Sequence, residues 1–147
     1  MLSFFSIRAT YDYVEEKDLA DHLDSLLKYN LEYVGIINAQ GRMLEQATKN
    51  LTLSREKMEM LCMGIRLQHS MYADFDEELG SVNYITTERS KLKFISIPIF
   101  SNIMIVIAKK DADHTSLIHK INSKQFLVIL KNQLDKYNIV TPGIRNS

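Results

Sequence analysis

The chain has 147 residues, with 18 Lys and Arg against 18 Asp and Glu, so its formal net charge is zero. That length favours one domain with a real core, and the balanced charge leaves no electrostatic footprint of nucleic-acid binding. The single cysteine, Cys62, excludes an internal disulfide and fits a reducing compartment. The opening MLSFFSIRATYDYVEE has no basic leader region, and no apolar run reaches the ~18 residues of a membrane helix. A cytoplasmic protein is expected.

Residues 1–13 are read as an arm. Phe4, Phe5 and Ile7 could form a short strand, dock or stay loose. Glu15–Asn30 is predicted as a helix. Leu19, Leu23, Leu26 and Leu27 share a stripe, and Glu15, Glu16 and Asp18 sit in the first turn, where the helix dipole favours acids. Asn30 is the expected stop. Leu31–Asn38 reads as a strand. Asn38-Ala39-Gln40-Gly41 is a hairpin turn with Gly41 at the position that wants positive φ. Arg42–Thr48 returns as a more polar strand, placed nearer an edge.

Thr52 or Ser54 caps a long helix over about Ser54–Phe75, which carries two apolar stripes. Met58, Leu61, Cys62, Ile65, His69 and Tyr72 form the first. Met60, Gly64, Leu67, Met71 and Phe75 form the second. A helix lying on a sheet needs an apolar arc of roughly 100°, and this one has about twice that. The first stripe can face a sheet; the second needs another partner, and Gly64 permits a close approach. The acidic run Asp74, Asp76, Glu77 and Glu78 reads as a solvated helix end, and Gly80 as the stop.

Ser81–Lys109 reads as three successive strands. Val82, Tyr84 and Thr86 alternate with Asn83, Ile85 and Thr87. In Leu92–Phe100, Leu92 and Phe94 take one face and Ile95, Ile97 and Ile99 the other. After a turn at Ser101-Asn102, Ile103, Ile105 and Ile107 oppose Met104, Val106 and Ala108. Strands apolar on both faces must be covered on both. Pro98 cannot donate to a ladder, which places its nitrogen at a bulge or an unpaired position. A third helix begins near His114 or Thr115, with Leu117, Ile118 and Ile121 on one face. The stripe of Phe126, Leu127, Leu130, Leu134 and Tyr137 lies nearly opposite. One straight helix cannot bury both, so a break is predicted at Asn122–Ser123 with Ser123 capping a separate last helix. The expected division is therefore an arm over 1–13, a domain over 14–122, an additional helix over 123–140 and a tail over 141–147. A chain ending at Asn122 is expected to keep its folded core.

No catalytic constellation emerges. Among the histidines His22, His69, His114 and His119, His69 falls on the sheet-facing stripe, as a hydrogen-bonded core residue would. Asp111, Asp113 and His114 lack metal-ligand spacing and suit helix capping. Cys62 sits in an apolar stripe with no basic neighbour on its face, as an inert buried thiol. No glycine-rich phosphate loop occurs, and no cofactor, metal or catalytic residue is expected. Arg89, Lys91 and Lys93 form the only small basic cluster, read as a solvated turn or, more sharply, as a surface for an anionic partner.

The element order, helix, two strands, helix, three strands, helix and an extra helix, is that of an α+β domain. It resembles the roadblock/LC7 fold, a profilin-like layout with a five-stranded antiparallel sheet between helices. The wording of Val34–Arg42, Phe75–Tyr84 and Lys93–Ile99 also resembles a family of small uncharacterised archaeal proteins with a roadblock/LC7-like domain. The resemblance covers about Leu19–Ile121. It implies a non-catalytic homodimeric regulator or scaffold that binds a protein partner, often a small GTPase. The implied dimer interface pairs the long helices through Met60, Gly64, Leu67 and Met71 and joins the edge strand carrying Val82, Tyr84 and Thr86 to its copy. The second reading is a small-molecule sensor of the PAS or GAF type, which would need an enclosed pocket.

Overall fold

The computed structural model describes residues 18–140. The arm over 1–13, the tail over 141–147 and the expected first turn at Glu15 and Glu16 lie outside the described residues. The elements are α1 (Leu19–Leu26), β1 (Leu31–Ile37), β2 (Met43–Thr48), α2 (Arg55–Ala73), α3 (Asp76–Leu79), β3 (Ile85–Glu88), β4 (Leu92–Ile99), β5 (Asn102–Lys109), α4 (His114–Ile121) and α5 (Lys124–Val140). The fold is α+β. Its five strands form one sheet in the order β2-β1-β5-β4-β3, with every neighbouring pair antiparallel.

The isoleucine-rich strands sit at the centre because both of their faces need cover. Ile95, Ile97, Ile99, Met104, Val106 and Ala108 face a core shared with the leucines of α1, α4 and α5. Ile105 and Ile107 face the opposite way, with Tyr33 and Ile37, towards Cys62 and Ile65 of α2. One face is thus roofed by three helices and the other by one long one. The polar strand β2 and the short β3 are the two edges.

Local chemistry sets the joints. Asn38 Oδ1 accepts the amides of Gln40 and Arg42, both at 3.0 Å, and Gly41 turns the chain at φ 84°. The first helix is shorter than Glu15–Asn30: Asp18 is its N-cap and accepts from the Asp21 amide at 3.0 Å. The chain leaves the following turn at Asn30, whose φ of 65° is left-handed, a conformation that asparagine tolerates.

The first strand of the meander is also shorter than expected. Its ladder begins only at Ile85, opposite Ser96, so Val82 and Tyr84 precede it. Continuing that register backwards would bring the ladder to Pro98, two residues beyond Ser96, which has no N–H to give. Pro98 itself pairs with Ile103 on its other side. The next turn falls one residue early, at Phe100-Ser101, with Phe100 at φ 57°.

The break before the last helix is present. α4 ends at Ile121, Asn122 is its C-cap, and the Ser123 hydroxyl accepts the Phe126 amide at 3.4 Å. The burial runs against a core that ends at Asn122, because Leu130 and Leu134 of α5 lie in the same apolar cluster as α1. Opposite stripes are both buried because the chain turns at Asn122–Ser123.

Candidate interaction surface

Ser54 starts α2, its hydroxyl accepting the Lys57 amide at 3.2 Å. From there Cys62 and Ile65 are buried on the sheet, and Met58 and Leu61 are half-buried beside them. His69 is also half-buried, and its Nε2 lies 2.7 Å from the Ser96 hydroxyl. Burial pushes this imidazole below its usual range. Tyr72, expected on the same stripe, is exposed, because β3 is too short to lie beneath the last turn of α2.

The second stripe is exposed among the described residues. Met60 is 73% exposed, Leu67 48% and Met71 65%. A side-chain carbon placed on Gly64 would touch nothing within 4 Å. Phe75 and Leu79 extend the row beyond the end of α2 and are exposed as well. Met60, Leu67 and Met71 recur at helical spacing on one side of α2, an exposed apolar ridge.

The three strand residues assigned to the same interface do not join this ridge. The register sets Thr86 opposite Ile95, which faces the α1, α4 and α5 side. Tyr84 turns the same way, its ring 6.4 Å from that of His114. Val82 lies ahead of the ladder, so among the described residues β3 leaves open its backbone edge rather than a row of these side chains. The link between that edge and α2 is instead Ile85, paired with the Ser96 that binds His69. Sequence periodicity could not reveal this, since it depends on which face of β4 the edge strand matches.

The other candidates resolve locally. Asp113 caps α4, accepting from the amides of Thr115 and Ser116 and from the Ser116 hydroxyl; these bonds hold its carboxyl below the usual range. The Cys62 thiol is buried, and burial with nearby Glu59 pushes it up, away from the reactive thiolate. The basic cluster loses a member. Lys93 leaves the turn, and its ammonium donates to the Ala112 carbonyl at 3.0 Å and lies 3.3 Å from His114 Nδ1. Arg89 and Lys91 remain exposed at the turn.

Among the described residues no three His, Cys, Asp or Glu side chains are grouped to hold a metal ion, and no helix is long and apolar enough to cross a membrane. Among the described residues an open groove lies between β2 and the first half of α2, lined by Tyr33, Met43, Gln46, Leu51, Met58 and Cys62 among others.

A five-stranded antiparallel sheet in this strand order, with one long helix on one face and helices on the other, defines a roadblock/LC7-like, profilin-like domain. The chain belongs to a family of unknown function, DUF6659, whose model matches residues 14–130. Its fold is similar to that of a roadblock/LC7 domain from Streptomyces avermitilis, at 12% identity and TM-score 0.66 over 80% of this chain and 98% of that one. It is also similar to MglB from Myxococcus xanthus, at 14% identity and TM-score 0.62 over 78% and 92% of the two chains. A profilin from Schizosaccharomyces pombe aligns at 10% identity and TM-score 0.50 over 69% and 94%. No curated protein matches the chain.

Proposed function

We propose that this chain is a non-enzymatic, homodimeric regulatory or scaffold module of the cytoplasm that binds a protein partner. The observation that carries the reading is the exposed apolar ridge of Met60, Leu67 and Met71 on α2. Apolar patches beyond a few hundred Å² are rare on monomers, and burying each Leu or Met is favourable by roughly 1.5–3 kcal/mol. A two-fold axis through Gly64 doubles every contact, since the same ridge meets itself. The backbone edge of β3 lies ready to pair with its copy and extend the sheet. A small GTPase is the partner class that the roadblock likeness brings, by analogy of fold.

Sedimentation or light scattering on the wild type and on Leu67→Glu tests the dimer. The wild type is expected to be a dimer at micromolar concentration. The variant, which sets two carboxylates against each other across the axis, is expected to be a monomer or an aggregate. A wild type that stays monomeric at high micromolar concentration overturns the reading. Pull-down with the wild type but not with Leu67→Glu, followed by mass spectrometry, identifies the partner class. The sensor alternative has less support, because the groove beside β2 is open to solvent where a sensor needs enclosure.

A further inference from the structure

The roof formed by α1, α4 and α5 has a feature of its own on its outer side. The end of α1, the end of α4 and the start of α5 surround an open cleft of about 250 Å³. Lys28 follows α1, and Lys120 lies in the last turn of α4. Each ammonium lies 5.4 Å from the centre of the Tyr29 ring, so the two nitrogens are no farther apart than twice that distance. The Tyr29 amide donates to the Leu26 carbonyl at 3.1 Å, which fixes the backbone that carries the ring. A lysine near a helix C-terminus is favoured by the helix dipole. That accounts for each lysine separately and not for the convergence of both on one ring, where like charges repel. The hold of an exposed ring on an ammonium is weak.

No carboxylate in the cleft offsets the two charges. Lys28, Tyr29, Lys120, Ser123 and Gln125 line it with apolar side chains beside them, and no Asp or Glu does. The ion pairs among the described residues, Arg55–Glu59 and Lys131–Asp135, involve neither lysine. The Ser123 hydroxyl accepts the Phe126 amide at 3.4 Å, which leaves its proton to donate. The exposed Gln125 side chain adds an amide donor. Two ammonium groups, a hydroxyl and an amide suit an anion held by charge-assisted hydrogen bonds. A carboxylate would bring one charge and two oxygens. A phosphate monoester brings a charge of about −1.5 to −2 and three acceptor oxygens, which matches two lysines better. The cleft is smaller than the ~300–1,000 Å³ of pockets for drug-sized ligands, so it suits one compact headgroup.

We propose that this cleft binds the phosphate group of a phosphate monoester, held between Lys28 and Lys120 with Ser123 and Gln125 donating to its oxygens. The monoester could be a free metabolite or the headgroup of a lipid. The cleft lies on the side of the sheet opposite α2, so the proposal does not depend on the homodimer.

Titration of the full chain with inorganic phosphate, followed by NMR against chloride at matched ionic strength, tests this. Phosphate is expected to shift the signals of Lys28, Tyr29, Lys120, Ser123 and Gln125 to saturation and to leave those of Leu67 and Met71 in place. A chain carrying Lys28→Gln and Lys120→Gln is expected to bind phosphate at least about tenfold more weakly, as the loss of charge-assisted hydrogen bonds requires. Both lysines are exposed, so its melt is expected to match the wild type; if it does not, Lys120→Gln alone decides. Equal shifts with chloride, or equal phosphate affinity in the substituted chain, overturn the proposal. Co-sedimentation with phosphatidylcholine vesicles that contain or lack phosphatidic acid separates the two sources. Capture by the phosphatidic acid vesicles alone, lost in the substituted chain, assigns a lipid headgroup. Phosphate binding without vesicle capture assigns a soluble monoester.

Discussion

Tyr33 can lie flat beneath α2 because Gly35, two residues along the same face, has no side chain. A carbon added to Gly35 would sit 2.5 Å from the Tyr33 hydroxyl and 3.0 Å from its ring. The hydroxyl donates to Gln46 Oε1 at 2.8 Å, and burial pushes its pKa up, so it stays a donor. Gly35→Ala is therefore expected to destabilise the fold by about 1–3 kcal/mol, as overpacking does, measurable by urea denaturation. His69 makes a pH-dependent contribution. Its folded pKa lies below the unfolded value of about 6.5. The unfolded chain therefore binds the proton first as pH falls. Stability is full above that value and declines as pH drops towards the folded pKa. His69→Gln is expected to flatten this acid slope in melts taken between neutral and mildly acidic pH; an unchanged slope would assign it to other groups. Cys62 should react slowly with Ellman's reagent in the native protein and quickly in denaturant, as its burial at 2% exposure requires.

Among the elements, α5 is the one whose contribution changed most on passing from sequence to structure. Leu130 and Leu134 are 0% and 3% exposed, in one core with α1. Leu134→Ala is expected to cost about 2–5 kcal/mol, and a chain ending at Asn122 to lose its cooperative melt. A sharp melt in the shortened chain would show instead that α1 and α4 close the face without it. The break itself was legible, because Leu117, Ile118 and Ile121 point one way and Leu130 and Leu134 the other. So was the two-sided burial of β4 and β5, written as alternating isoleucines. Where the second stripe of leucines would land was not legible, since phase fixes a direction only relative to its own helix. The length of β3 was hidden for a similar reason. Ser81–Thr87 has strand-like alternation, but the limit is set on β4, by Pro98 standing just past the partner of Ile85. Lys93 looked like part of a basic turn because its neighbours in sequence are Arg89 and Lys91. Its strand parity sends it to Ala112. Of the residues expected at an interface, the exposure of those on α2 could be read from an arc too wide for one sheet. The side on which Tyr84 and Thr86 would fall could not.

At the scale of the whole molecule, a dimer built on the α2 ridge links stability to concentration. The melting temperature of the wild type is expected to rise with protein concentration, and that of a monomeric Leu67→Glu variant to stay constant. The two roofs of the sheet differ in thickness. One face is closed by α1, α4 and α5 around a large leucine and isoleucine cluster; the other rests on α2 through Cys62, Ile65 and a few half-buried neighbours. The two layers are expected to open separately, which hydrogen exchange at the Cys62 and Leu130 amides would show. α2 is held by the smaller apolar contact, so it is expected to be the lower-stability unit, lifting from β1 and β5 while the opposite layer remains closed. A partner seated on its outer ridge would clamp α2 from the far side. Association would then slow the breathing of Cys62 and His69, residues that the partner never touches.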